Sequence, residues 1–311
     1  MLSRTASNLY WIGRYMERAE FTTRLIEATI RLSSLAGDVR SSQAWRSALT
    51  VVSAADTFEA TGETFSAFNA RRYLTLNEEN PSSIRACIAS ARDNARAART
   101  ALSREAWEAV NRAWLAIRDR ASPGGTQATF NLVEELMAEL RGFEGALARM
   151  LRSESYWFMR LGSVIERADN TARLLDVKYY LLLPEGEEVG GTLDRDQWTT
   201  ILHTVAALNA YRAIYRQTLK PWLIADLLMF RQELPRSLSA SALETVSLLT
   251  RLSERTGRQG EADRLARQRL DSFESTDIDE VFQQGMHETL RRCIAENNAL
   301  DAAIAHQFRF G

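Results

Sequence analysis

Two Glu-Arg pairs carry the most chemistry in this chain, Glu17-Arg18 and Glu166-Arg167, each within a longer charged run. The first run is Glu17, Arg18, Glu20 and Arg24; the second is Glu166, Arg167, Asp169 and Arg173. Carboxylates of this kind can act as general bases, and Glu17 and Glu166 are the candidates for that role. Guanidinium groups offer planar forks to a carboxylate or phosphate. The mixture suits an amino acid or a peptide, which needs acceptors at one end and forks at the other. The same residues equally suit an ion-pair network that clamps helices together without catalysing anything.

Neighbouring residues on a helix point about 100° apart, so each Glu and its Arg belong to different faces. One face is Gly13, Glu17, Glu20 and Arg24, matched by Gly162, Glu166, Asp169 and Arg173. A glycine in mid-helix costs about 0.5–1 kcal/mol relative to alanine. Its presence in both runs implies that another backbone comes close there. The other face is Trp11, Arg18, Leu25 and Leu32, matched by Arg160, Arg167, Leu174 and Leu181. Arg18 and Arg167 therefore have apolar neighbours, are expected to be at least partly buried, and need carboxylate or carbonyl partners. In the sharper reading, Glu17, Glu166, Arg18 and Arg167 converge as a ligand site.

Other chemistry is sparse. A second polar patch, Asp93, Asn94 and Arg96, reads first as a solvated, ion-paired helix face. A di-metal bundle site needs Glu-x-x-His pairs, and none of His203, His287 and His306 lies three residues after a glutamate. No metal or other cofactor is expected, an all-carboxylate magnesium site being the one arrangement left open. There is no Gly-x-Ser-x-Gly, no Walker loop and no glycine-rich dinucleotide turn. Cys87 and Cys293 have no sequence-adjacent histidine and read as small buried residues. The seven tryptophans sit mostly in apolar-periodic contexts, as core or interface.

These residues must be held by helices. Leu9, Ile12, Met16, Ala19, Thr23, Ile26 and Ile30 recur at alternating steps of three and four, and Phe158, Leu161, Ile165, Ala168, Ala172, Leu175 and Tyr179 repeat the stripe. Such a stripe is core. No alternating strand and no hairpin turn is evident. The pattern predicts helices near 3–36, 41–61, 64–76, 82–100, 104–120, 127–152, 154–183, 195–218, 221–232, 237–257, 260–272 and 277–308. Clear breaks fall at Ala121–Gly125 and Pro184–Gly191, and Ser82, Ser83, Ser103 and Ser237 mark helix starts.

The halves also resemble each other. Residues 9–27 and 158–176 share seven identities in nineteen positions at an offset of 149, where average composition gives roughly one. Trp45–Ala54 lies over Trp198–Ala207, and Asn80–Ile84 over Leu234–Leu238, at offsets of 153 and 154. The expectation is an all-α bundle of about 10–12 helices, duplicated internally with pseudo-twofold symmetry, its halves being 1–152 and 153–311.

Bulk composition agrees. The chain has 311 residues, 45% hydrophobic and 25% charged, which suits a folded globular protein. Lys+Arg of 39 against Asp+Glu of 40 leaves a net charge of −1 and no basic surplus for nucleic acid. Only Lys178 and Lys220 are lysines, which leaves almost none for Schiff-base chemistry. The first twenty residues contain Arg14, Glu17, Arg18 and Glu20 and no apolar core of a signal peptide. No run of eighteen apolar residues occurs, and the expectation is a soluble, cytoplasmic protein that avoids membranes.

The opening Leu2-Ser-Arg-Thr-Ala-Ser-Asn-Leu-Tyr-Trp-Ile-Gly-Arg-Tyr-Met-Glu-Arg-Ala-Glu20 closely resembles that of the bacterial alpha-E family. Asn80–Ile84, Ala91–Arg96 and Glu166–Asp169 resemble it too, so the likeness spans nearly the whole chain. That family is all-helical and named for its Glu-Arg motif. Its genes commonly neighbour a circularly permuted ATP-grasp ligase and a transglutaminase-like protease. The resemblance implies a part in making or processing a peptide through amide bonds, with those two proteins as partners. It also implies that Glu17, Arg18, Glu20, Arg24, Glu166, Arg167, Asp169 and Arg173 are the candidate site residues. An independent amide ligase or hydrolase, and a purely architectural scaffold, are the other readings. The enzyme reading requires a carboxylate with a raised pKa.

Overall fold

The structure, a computed structural model, describes residues 1–34, 38–180 and 191–310. Among them there are only helices and connections: α1 (Ser3–Ser34), α2 (Asp38–Val51), α3 (Ala55–Ala60), α4 (Ala67–Leu76), α5 (Ile84–Ala97), α6 (Arg104–Ile117), α7 (Thr126–Ala148), α8 (Glu154–Tyr180), α9 (Thr192–Thr204), α10 (Leu208–Tyr215), α11 (Pro221–Phe230), α12 (Leu238–Thr256), α13 (Glu261–Ser275), α14 (Ile278–Gln284) and α15 (Met286–Phe308). The all-α expectation holds. The fifteen α-helices of the described residues exceed the expected 10–12 because three expected helices each divide in two. Two of those divisions have one cause. Ser53 and Ala206 adopt positive φ (54° and 55°), which halts α2 and α9. The following amides close the ends, Ala54 N to Leu49 O at 2.8 Å and Ala207 N to Leu202 O at 2.7 Å. Neither residue is a glycine, so periodicity alone reads through both breaks. The third division falls at Gly285, φ 101°, between α14 and α15. The expected break at 184–190 and the expected helix ends beyond residues 34 and 180 lie outside the described residues.

Helix starts follow side-chain chemistry. Ser83, Ser103 and Ser237 accept hydrogen bonds from the amides of Ala86, Ala106 and Ala240 at 3.1, 3.2 and 3.0 Å. Ser82, also expected to start a helix, instead donates to Val52 O at 3.1 Å. Pro221 occupies the first turn of α11, where its missing N–H costs nothing.

The chain divides into one unit of Met1–Glu166 with Phe308–Gly311 and another of Arg167–Gln307. In the first, α1 is the central helix, packed on α2, α4, α5 and α7. Nineteen of its 32 residues are buried, more than one apolar stripe supplies. Two of its three buried threonines meet their own hydroxyl needs by back-bonding, Thr23 to Ala19 O and Thr29 to Leu25 O, both at 2.7 Å. The predicted stripe from Leu9 to Ile30 is buried throughout, as is its match from Phe158 to Leu175. Phe308 and Phe310 close this core, their rings 5.0 Å from Phe158 and 5.3 Å from Tyr10 respectively. In the second unit α11 lies against α9, α10, α12, α13 and α14, and α12 against α13.

Matched local details recur in the two units. Thr22 donates to Ser82 O at 3.2 Å, and Thr171 to Arg236 O at 3.0 Å. Arg24 clasps Glu20 at 2.9 Å, and Arg173 clasps Asp169 at 2.6 Å.

Candidate functional site

Within the first unit α1 and α8 cross at their two glycines. A Cβ built on Gly13 would lie 1.9 Å from Met159 O, and one on Gly162 would lie 2.0 Å from Tyr10 O. The contacts are reciprocal at the offset read from the sequence, since residues 10 and 159 match each other, as do 13 and 162. The predicted backbone approach is therefore made by the two Glu-Arg helices themselves.

That approach brings a carboxylate beneath two guanidinium groups. Glu166 is 1% exposed. Arg18 grips it with both N–H groups of one edge, Nε to Oε1 at 2.6 Å and Nη2 to Oε2 at 3.0 Å. Arg14, one turn earlier on α1, donates from Nε to Oε2 at 2.8 Å. Bidentate pairing of this kind is the strong form of the contact. Burial alone raises a carboxyl pKa, but the charges of Arg18 and Arg14 and their hydrogen bonds outweigh it and hold Glu166 down at about 2. Burial opposes the charge on Arg18, yet Glu166 raises its pKa well above the ordinary value. The group stays fully ionised at neutral pH.

Aromatic rings flank the cations. The Arg14 guanidinium lies 5.3 Å from the Trp11 ring and that of Arg18 lies 5.9 Å from the Tyr15 ring. Burial raises the Tyr15 phenol against the opposing charge of Arg18. Trp11 and Tyr15 are half-buried, and Arg18 keeps 20% of its side chain exposed. From α5, Cys87 stands close enough to feel both Arg18 and Glu166. It is wholly buried, and desolvation pushes its thiol up to about 12. A thiol of that kind is not a nucleophile at neutral pH. We expect neither cysteine of the folded protein to react with a disulfide reagent near neutral pH, and both to react once denaturant is added. Fast labelling of Cys87 in the native state would contradict this burial.

The remaining sequence candidates separate into groups. Glu20 pairs with Arg24 and Asp169 with Arg173, each along its own helix. Glu17 and Arg167 are buried at 5% and 3% exposure. Asp93 and Arg96 are exposed and 4.0 Å apart, and Asn94 donates to Ser90 O at 2.7 Å on the same helix, so the second patch is a solvated face. Among the described residues no cluster of three His, Cys, Asp or Glu side chains is placed to hold a metal ion, and no helix is long and apolar enough to cross a membrane.

Sequence reasoning missed Arg14 and Tyr15. Arg14 stands four residues before Arg18, so its place on the same face was readable. The repeat hid it, because Ser163 and Val164 occupy the matching positions.

No curated protein and no solved structure matches this chain. A family model does, over residues 1–308, described as a predicted alpha-helical domain with a conserved ER motif. The Glu166-Arg167 pair supplies the buried carboxylate, and the chain belongs to the Alpha-E family.

Proposed function

We propose that this protein is a non-ATP-binding component of an ATP-grasp amide-ligase system that makes or processes a peptide. Its partners in this reading are a circularly permuted ATP-grasp ligase and a transglutaminase-like protease, with the peptide or an amino acid as small ligand, in the bacterial cytoplasm. The two halves, 1–152 and 153–311, are read as copies of one helical unit, which the matched caps, turns and threonine bonds support.

One observation carries the choice of a binding component over an independent enzyme. Glu166 is occupied by Arg14 and Arg18 and held ionised at about 2, far from the value a general base needs near neutral pH. Arg18 nevertheless remains 20% exposed beside the half-buried Tyr15 ring, which packs against that of Trp11. Arginine and aromatic side chains with one open edge suit recognition of a protein or peptide.

The test is capture of the tagged full chain from its own host, followed by mass spectrometry of retained proteins and small molecules. The wild type is expected to retain the ATP-grasp ligase. Arg18→Gln is expected to fold, because Arg14 still neutralises Glu166, and to lose at least about 90% of the ligase, a tenfold weakening worth about 1.4 kcal/mol. A wild-type capture with no ligase, or turnover by the purified chain alone, overturns the proposal.

A further inference from the structure

The second unit buries a guanidinium whose stronger edge meets no protein group. Arg269 of α13 is 6% exposed. Its Nη1 donates to Asn297 Oδ1 of α15 at 2.5 Å. Its Nε and Nη2 are closed to solvent, and no protein acceptor reaches either. Those two N–H groups are parallel and form the edge with which Arg18 clasps Glu166 in the first unit. Desolvation lowers the pKa of Arg269, with Cys293, Glu296 and Asp169 acting in the other direction. A charge buried against one neutral amide is poorly compensated.

Asp169 of α8 supplies the complementary atom. Its Oδ2 accepts from Arg173, while Oδ1 is buried with no protein donor. Three of the nine such atoms among the described residues fall on Asp169 and Arg269. Folded proteins leave few buried polar groups unpaired, and Asp169 lies close enough for its charge to act on Arg269, so the three unpaired atoms call for a common partner. Two parallel N–H groups fit two oxygens of a carboxylate, and a lone carboxylate oxygen fits an ammonium. The neighbours Cys293 and Asn297 are 6% and 1% exposed, which suits a small molecule and not a chain.

We propose that this cluster seats a small α-amino acid, its carboxylate on Nε and Nη2 of Arg269 and its ammonium on Oδ1 of Asp169. The seat shares no residue with the Arg14, Arg18 and Glu166 group and does not rest on the ligase reading. Because it is enclosed, exchange requires local opening around α13, and protein and ligand must be equilibrated for long periods.

Thermal melts of the full chain test it, with each common amino acid, acetate and inorganic phosphate as separate probes, beside mass spectrometry of molecules released on denaturation. At least one amino acid is expected to raise the Tm by several degrees, as a ligand well above its Kd does. Arg269→Lys keeps the charge without the fork and is expected to abolish the rise. Asp169→Asn is expected to abolish the response to the amino acid while keeping that to the 2-hydroxy acid of the same side chain. A response to acetate and phosphate without amino-acid preference overturns the zwitterion assignment. No response from the wild type and no released amino acid, with Arg269→Met as stable as the wild type, overturns the seat altogether and leaves a guanidinium satisfied by bound water.

Discussion

Gly13→Ala is expected to lower the stability of the first unit by about 3 kcal/mol or more, at the upper end of what overpacking costs. Helix propensity predicts the opposite sign, a gain of about 0.5–1 kcal/mol. The clash decides between them. The new methyl would stand 1.9 Å from Met159 O, 2.9 Å from Met159 C and 3.0 Å from Ser163 N, all of them backbone atoms of α8. No rotamer change relieves contacts of that kind, so α1 and α8 must separate. Separation also strains the Arg14 and Arg18 bonds to Glu166. Gly162→Ala meets Tyr10 O at 2.0 Å and Arg14 N at 3.1 Å, and a similar loss is expected. Because one separation relieves both clashes, the double variant should cost clearly less than the sum of the single ones. Urea unfolding followed by circular dichroism measures all three. Wild-type stability in either single variant would refute the close crossing.

Removing the Glu166 side chain should be comparably severe. Glu166→Ala leaves Arg14 and Arg18 facing each other without their shared carboxylate, and breaking a buried pair from one side typically costs about 3–5 kcal/mol. Loss of function in this variant would thus report on the fold, and Arg18→Gln is the better probe of binding. The same pair gives a pH signature. The folded carboxyl titrates at about 2, against an ordinary value of 4.5. Its contribution is therefore complete above the ordinary value and is lost as the pH falls from there towards 2. The difference corresponds to about 3 kcal/mol. Unfolding free energies measured across that range should fall steeply for the wild type and less so for Glu166→Gln. Equal slopes would mean that the ion pair does not stabilise the folded state.

The structure also explains why the two Glu-Arg motifs do not read as equivalent sites. At the positions of Trp11, Arg14, Tyr15 and Cys87 the second half carries Arg160, Ser163, Val164 and Ser241. The first unit therefore joins two cations, two rings and a buried thiol around Glu166. The second unit builds its own polar cluster from Asp169 together with Arg269 and Asn297 on helices distant in sequence. Arg269 sits in an arginine-rich stretch of α13, Arg264-Leu-Ala-Arg-Gln-Arg269. Only the packing reveals that Arg264 and Arg267 face out while Arg269 faces in.

By itself the sequence determined the all-helical class, the apolar seams of α1 and α8, most helix starts and the need for a close backbone approach at Gly13 and Gly162. These are local properties, set by periodicity, capping hydroxyls and the absence of a Cβ. It also marked Arg18 as a guanidinium in need of a carboxylate. Tertiary structure alone decided which carboxylate, because Glu17 is the adjacent residue, about 100° round the same helix, whereas Glu166 arrives from 148 residues away. It decided that Arg14 shares that carboxylate and that Cys87 is sealed beside it. It also decided that Arg269 is buried with an edge open. Partner choice among charged groups depends on distance and desolvation in three dimensions, and neither is encoded in the spacing of one helix.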